Sequence, residues 1–325
     1  MNPAIRLLPL VALIAAVIIA PLTLSDAALH LASELLVVLT LAVMWNLLAG
    51  YAGLMSLGHQ AFFGIGGYAV FLFANATGMA PFWGFPIAGA AAAIAAAAIA
   101  PLLFRLRDAY FAIGTWVLAE IVSILAQRTD ALGGITGVAL ARMDAIDFTR
   151  FEGQMFLAAA ATALAAIAGS VWLLRSRLGL ALMSVRDNEQ AAAAIGVNVW
   201  ANRFIAFVIS AAGCGVAGAI SLLGGLVAQP GNAFSPEWTV IMTFVVVIGG
   251  IGTLEGPIVG VLVYFVIREV TTVALGLSGS WYLVAMGAVA IATMLFAPQG
   301  FWPLLRDRMQ VSWLDVQRRF PSMDR

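Results

Sequence analysis

FIAFVISAAGCGVAGAISLLGGLVA, residues Phe204–Ala228, runs for 25 residues without a charged side chain. A helix crosses the ~30 Å hydrocarbon core of a bilayer with about 20 apolar residues, so this stretch is long enough to span one. Similar runs lie at Leu7–Leu24, Leu31–Ala49, Phe82–Phe104, Ala109–Ala126 and Gln154–Leu174. Less regular ones lie at Ala61–Ala76, Trp238–Ile251, Pro257–Leu275 and Trp281–Ala297. The fold expected is all-α, a polytopic integral membrane protein with about ten transmembrane or partly re-entrant helices. Leu7–Leu24 follows Arg6 but lacks a small-residue cleavage site, so it reads as a helix rather than a signal peptide.

Composition points the same way. The 325 residues include 16 basic and 16 acidic side chains, 10% charged, where a soluble domain carries roughly 25%. Apolar residues make up 63% and there are 32 glycines. A soluble core stops growing near ~250–300 residues, and disorder requires low hydrophobicity with high charge; neither fits. The net charge of zero gives no basic field for nucleic acid. Cys214 is the only cysteine and His30 and His59 the only histidines, so neither a disulfide nor a thiolate or histidine metal site is expected.

All the basic residues are arginine, and their placement orients the chain. With ten crossings and a cytoplasmic N-terminus, the cytoplasmic side holds Arg6, Arg105, Arg107, Arg175, Arg177, Arg186, Arg203 and the five arginines between 306 and 325. Only Arg128, Arg142, Arg150 and Arg268 fall on the other side or in the outer half. This is the positive-inside bias, and it makes both termini cytoplasmic. The loop 127–153 then faces outward and the loop 175–203 faces the cytoplasm.

The cytoplasmic loop reads RSRLGLALMSVRDNEQAAAAIGVNVWANR, Arg175–Arg203. Ser184, three residues before Asp187, resembles a capping box. Asp187 and Glu189 suit the first helical turn, Ala191–Ala194 are strong helix formers, and Gly196 fits a left-handed cap. The expectation is a helix of about ten residues, ~15 Å long. Its alanines are too small for an interfacial anchor, which needs large apolar groups; a short, smooth element suits a groove on another protein.

Gly179–Asn198 followed by FIAFVISAAGCGVAGAI (Phe204–Ile220) resembles the coupling loop and next helix of bacterial branched-chain amino-acid ABC importer permeases. NLLAGYAGLMSLGHQAFFGIGGYAV (Asn46–Val70), YFAIGTWVLAEIV (Tyr110–Val122), GGIGTLEGP (Gly249–Pro257) and FAPQGFW (Phe296–Trp302) are similar to the same family, in the same order. The likeness is to its M-type (LivM-like) subunits. One departure is Leu54, where the family often carries glutamine. The resemblance implies one permease domain over 1–325, in a bacterial inner membrane. It implies a second, homologous permease subunit of the H-type, two cytoplasmic ATPase subunits that bind ATP and magnesium, and a periplasmic substrate-binding protein. It also implies that Arg186, Asp187, Asn188, Glu189, Ala193 and Gly196 form the loop that meets the ATPase. The chain itself has no phosphate-cradling GxxxxGK[ST], so it is expected neither to hydrolyse ATP nor to bind a cofactor. Related importers for urea and short amides are the nearest alternative. A stand-alone, ion-coupled transporter or channel is the alternative of another class.

Other residues stand out within the membrane. Gly50–Gly67 places six glycines with Ser56, His59 and Gln60 between two spans. Unwound backbone at this depth is tolerated where it is buried in protein or lines a wet cavity, so these residues either line the translocation path or gate, or pack close helices around a satisfied histidine. Gly64 and Gly67 read as packing residues. Glu120 is an isolated intramembrane acid, either on the path or paired across a subunit boundary. Thr115, five positions earlier, lies about 140° away around the helix. Gly249–Gly256 is a second glycine-rich break, where Glu255 contacts the ATPase, meets an arginine, or caps the helix that Pro257 begins. Arg268 and Glu269 reach the surface or pair. Ala88–Ala100 is a packing face, and Trp281 and Trp302 read as interface anchors.

Overall fold

The computed structural model describes residues 17–141, 147–276 and 281–309. Most of the first expected span lies outside them, although 17–23 are helical. Arg6, Arg142, Asp144, Arg318, Arg319, Arg325 and both termini also lie outside.

The apolar runs become helices within a few residues of their expected limits. α1 (Asp26–Asn46) is capped by Ser25, whose hydroxyl accepts from the Ala28 amide, and continues into a π-turn at Leu47–Tyr51. After a break come α2 (His59–Thr77), α3 (Phe85–Leu103) and α4 (Asp108–Arg128). A two-residue strand β1 (Val138–Ala139) precedes α5 (Phe151–Arg175). The connector holds α6 (Arg177–Asp187) and α7 (Glu189–Ala194), and α8 (Val199–Gly224) follows. β2 (Val227–Ala228), α9 (Pro230–Ala233), α10 (Pro236–Gly249), α11 (Gly256–Glu269), α12 (Trp281–Phe296) and α13 (Phe301–Met309) complete the described chain. Among the described residues seven segments are long and apolar enough to cross a membrane: Asp26–Tyr51, Pro81–Leu103, Asp108–Arg128, Phe151–Arg175, Val199–Gly224, Pro230–Gly249 and Gly256–Val273. α12 is apolar but shorter, at 16 residues. α2 has 19 residues with a polar start, and it is sheltered inside the bundle by α8, α3 and α4.

α8 is the hub, packed against α1, α2, α3 and α5. Glycine makes this possible. A Cβ on Gly66 would lie 2.1 Å from the Gly215 carbonyl oxygen, and one on Gly218 would lie 2.0 Å from that of Phe63. The backbones of α2 and α8 therefore touch. Gly64 and Gly67 face Phe234 and Leu222 just as closely, in keeping with a packing role. The alanine-rich α3 buries Ala88, Ala92, Ala96 and Ala100 completely, one residue per turn, and Gly215 approaches Ala88 and Ala92.

At the end of the bundle where α2 finishes and α5 begins, β1 pairs antiparallel with β2, Val138 opposite Ala228 and Ala139 opposite Val227. Asn75 binds the same strand, donating to the Ala139 carbonyl at 3.0 Å and accepting from the Ala141 amide at 2.9 Å. Much of the loop 127–153 is thus fastened to the helices. The tryptophans divide: Trp281 is 57% exposed, as an anchor would be, whereas Trp302 is 8% exposed and packs inward, contrary to expectation.

Candidate functional site: the coupling connector and the polar interior

The connector between α5 and α8 forms two helices rather than one. Ser176 starts α6, its hydroxyl accepting from the Leu178 amide at 3.2 Å. Asn188 then turns extended (φ −158°, ψ 105°), and its Oδ1 accepts from the Ala191 amide at 2.9 Å to cap α7. Ser184 is therefore not the cap; it lies in α6 and donates to the Ala181 carbonyl of its own helix. Asp187 ends α6, and only Glu189 occupies the first turn of α7. The stop is as expected. Gly196 has φ +88°, its amide bonds the Ala193 carbonyl and the Val197 amide bonds the Ala192 carbonyl, both at 3.0 Å. That pattern is a Schellman cap.

α7 buries Ala192 and exposes Ala191, Ala193 and Ala194, with Ile195 just beyond at 78% exposure. Its base is braced by Arg203, whose Nη1 donates to Glu189 Oε2 at 2.9 Å. Arg186 also turns back to the protein. It pairs with Asp187 at 2.8 Å, and its Nη1 donates to the Gly50 carbonyl at 2.8 Å.

Gly50 lies where the two glycine-rich breaks meet. Asn46, at the end of α1, donates from Nδ2 to the Thr253 carbonyl at 2.8 Å and accepts at Oδ1 from the Gly252 amide at 2.9 Å. A Cβ on Gly50 would lie 2.6 Å from that same amide nitrogen. Glu255 is buried at the head of α11, but its carboxylate does not cap the helix. Thr253 does: its hydroxyl accepts from the Gly256 amide at 3.1 Å and donates to the Gly250 carbonyl at 2.7 Å. The connector, the π-turn and the break before α11 thus form one hydrogen-bonded unit.

Beside it lies a buried polar group. Ser56, His59, Gln60 and Thr115 come together, each with at most 2% exposure. The Ser210 hydroxyl donates to the Met44 carbonyl at 2.7 Å, so toward His59 Nε2, 2.8 Å away, it can only accept. Nε2 therefore carries the proton, and Nδ1 accepts from the Ser56 hydroxyl at 2.9 Å. This makes a neutral imidazole with both nitrogens satisfied, a structural histidine. Trp45 Nε1 donates to the Ser56 carbonyl at 2.8 Å. The Thr115 hydroxyl accepts from the Leu57 amide at 3.0 Å and donates to the Ala112 carbonyl at 2.8 Å, holding the unwound stretch against α4. Gln60 Oε1 accepts from the Thr239 hydroxyl, which links α2 to α10, and its Nε2 has no partner among the described residues. These side chains are packed away from solvent. Glu120 is not with them. It lies partly exposed on α4 between the exposed Trp116, Val117, Ile121 and Ile124, without an ion pair or hydrogen bond among the described residues.

At the other end of α1, Arg268 Nη1 contacts Glu34 Oε2 at 2.7 Å, which settles the reading of Arg268 as paired. Glu34 precedes Asn46 by twelve positions, about 18 Å along the helix. The ion pair lines a cavity of about 220 Å³ that also takes in Glu237, Tyr264 and Tyr282. Among the described residues no group of histidine, cysteine and acidic side chains could hold a metal ion.

Residues 27–294 match the family of branched-chain amino acid transport system permease components. The chain belongs to this family. The high-affinity branched-chain amino acid transport system permease protein LivM of Escherichia coli (strain K12) is 28% identical over an alignment of 329 positions, gaps included, that spans 93% of this chain and 76% of the relative. The protein of the same description from Salmonella typhimurium (strain LT2) is 26% identical, with the same coverage. No solved structure matches. The chain is a multi-pass permease component of a transporter that includes other subunits. In this permease, sequence reading located the connector and the Gly50–Gly67 break but passed over Asn46, Glu34, Glu237 and Tyr282. An asparagine or acid inside an apolar run was the available signal for the first two.

Proposed function

We propose that this permease carries leucine, isoleucine or valine inward through a bacterial inner membrane, as one half of a membrane pair with a second permease subunit. Two cytoplasmic ATPase subunits, which bind and hydrolyse ATP with magnesium, grip α7, and a periplasmic binding protein delivers the amino acid. This chain holds no cofactor and catalyses no reaction of its own. The observation carrying this reading is the α6–α7 connector. Its alanine face and Ile195 point away from the bundle, while Arg186 and Arg203 tie its base to the transmembrane helices. A ligand-driven motor shifts a permease only through contacts that differ between two states, and a rigid, exposed element fixed at its root can pass on such a shift.

The test is reconstitution in vesicles. Leucine uptake is expected only when the ATPase, the binding protein and ATP are all present, and vanadate stops it. Uptake by this chain alone, lost when an ion gradient is collapsed, would overturn the proposal.

A further inference from the structure

The cavity at the Glu34–Arg268 end is a second place where chemistry collects. Charged side chains in transmembrane helices are expensive and mark functional positions by default. Three meet here, Glu34 on α1, Glu237 on α10 and Arg268 on α11. They are not sealed in the packed interior: the side chains of Arg268 and Glu34 keep 32% and 39% of their surface exposed. One turn further along α1 and α10, Val37, Val38 and Ile241 add an aliphatic part to the lining. Tyr282 holds Glu237 by donating its hydroxyl to Oε1, and Trp238, stacked on Phe63 at 4.3 Å, closes another side. A second cavity of about 300 Å³ shares Glu34 and Trp238 and leads past His30 and Glu152.

We infer that the cavity between Glu34, Glu237, Arg268 and the Val37–Val38–Ile241 wall is a binding station for a zwitterion with a branched aliphatic side chain. The inference rests on the proposed function and names where within the permease the amino acid pauses. A guanidinium matches a carboxylate in a two-pronged contact, so Arg268 receives the α-carboxylate. The α-ammonium lies between Glu34 and Glu237. The aliphatic side chain packs along the part of the lining formed by Val37, Val38 and Ile241. Without substrate, Glu34 occupies Arg268 in its place, so neither charge is left unpaired at this depth. An ion pair serving only as a staple between α1 and α11 would need neither the space beside it nor an aliphatic wall.

The permease–ATPase complex, purified without the binding protein, is tested for direct binding of labelled leucine by scintillation proximity. Wild type is expected to bind. 4-Methylpentanoate, lacking the ammonium, and isoamylamine, lacking the carboxylate, are each expected to compete at least about tenfold less well than leucine. Exchanging the pair, Glu34→Arg with Arg268→Glu, keeps the staple but reverses the charges relative to the wall, and is expected to lower binding about tenfold or more. Ile241→Ala leaves the charges alone and is expected to improve competition by phenylalanine relative to leucine about tenfold. Absence of binding to wild type, full binding by the exchanged pair, or unchanged selectivity of Ile241→Ala would each overturn the inference. ATP-driven uptake by the complete wild-type assembly is measured separately. Its absence would strike the proposed function itself.

Discussion

The Arg186 guanidinium donates to the carbonyl of Gly50 at 2.8 Å, joining residues 136 positions apart in the chain. Of the motif residues on the connector, Arg186 therefore works inward as well as at the surface. It fastens α6 to the π-turn below α1, where Asn46 holds the break before α11. Arg186→Ala is expected to leave ATP hydrolysis in the assembled transporter and to lower the amino acid moved per ATP. The lost hydrogen bond lies at the low end of ~1.5–3 kcal/mol, because about a third of the side chain is in solvent (35%). Parallel assays of phosphate release and uptake give the ratio; an unchanged ratio contradicts the linkage.

Gly196 has open space around its missing side chain and φ +88°. Its role is conformational. Gly196→Val is expected to strain the cap by roughly 1–2 kcal/mol, to misdirect α7 and to reduce coupling, without preventing membrane insertion. Glu189→Arg, facing Arg203, is expected to act alike. Normal uptake with both changes present would remove α7 from the coupling path.

A matched pair of glycine substitutions tests the helix seam. Gly66→Ala places a methyl group 2.1 Å from a backbone oxygen, while Gly169 on α5 has nothing within 4 Å. Gly66→Ala is expected to destabilise by at least the ~1–3 kcal/mol of ordinary overpacking, since the obstructing atom is backbone. Gly169→Ala is expected to be neutral or to gain up to about 1 kcal/mol from helix propensity. Thermal unfolding in detergent compares them.

His59 should report its bonding directly. Nitrogen-15 NMR is expected to show a protonated Nε2 and a bare, accepting Nδ1. His59→Phe leaves the Ser56 hydroxyl without its acceptor, at about 1–3 kcal/mol for a buried orphan, while Ser210 keeps its bond to the Met44 carbonyl. The expected loss is in thermal stability, and Ser56→Ala is expected to cost less in the His59→Phe background than in the wild type, because the bond it would break is already gone.

Glu120→Gln separates two readings of the exposed α4 face. If the acid pairs across a subunit boundary, the yield of intact complex on size-exclusion chromatography falls while the isolated chain keeps its stability. Equal yield and equal uptake would make Glu120 a bystander.

The spans were readable because each buries or exposes whole apolar faces, and uninterrupted apolar length is a local property. Gly196 was readable for a similar reason, since a left-handed cap is decided by its own residue and its immediate neighbours. The start of α7 was not. Ser184 and Asn188 both carry capping chemistry, and the choice depended on Ser176 starting a helix first, which placed Ser184 in its body. The capping reading of Glu255 failed likewise, because Thr253 two residues earlier supplies the capping hydroxyl. The charged cavity was beyond reach by any local pattern. Glu34, Glu237, Arg268 and Tyr282 stand on four different helices, and only the folded bundle assembles them.

Where α2 and α8 cross, main chain rests on main chain at Gly66, Gly215 and Gly218. Alternating access needs surfaces with two ways of fitting together, and side chains that repack are what provide a second one. At these backbone-on-backbone points there is no such alternative, so the two helices are expected to form a keel that travels as one piece. Opening and closing then belong to the elements hung from it, and a spin-label pair across the crossing would hold a constant distance through the whole cycle while pairs reaching to α4 or α12 change theirs.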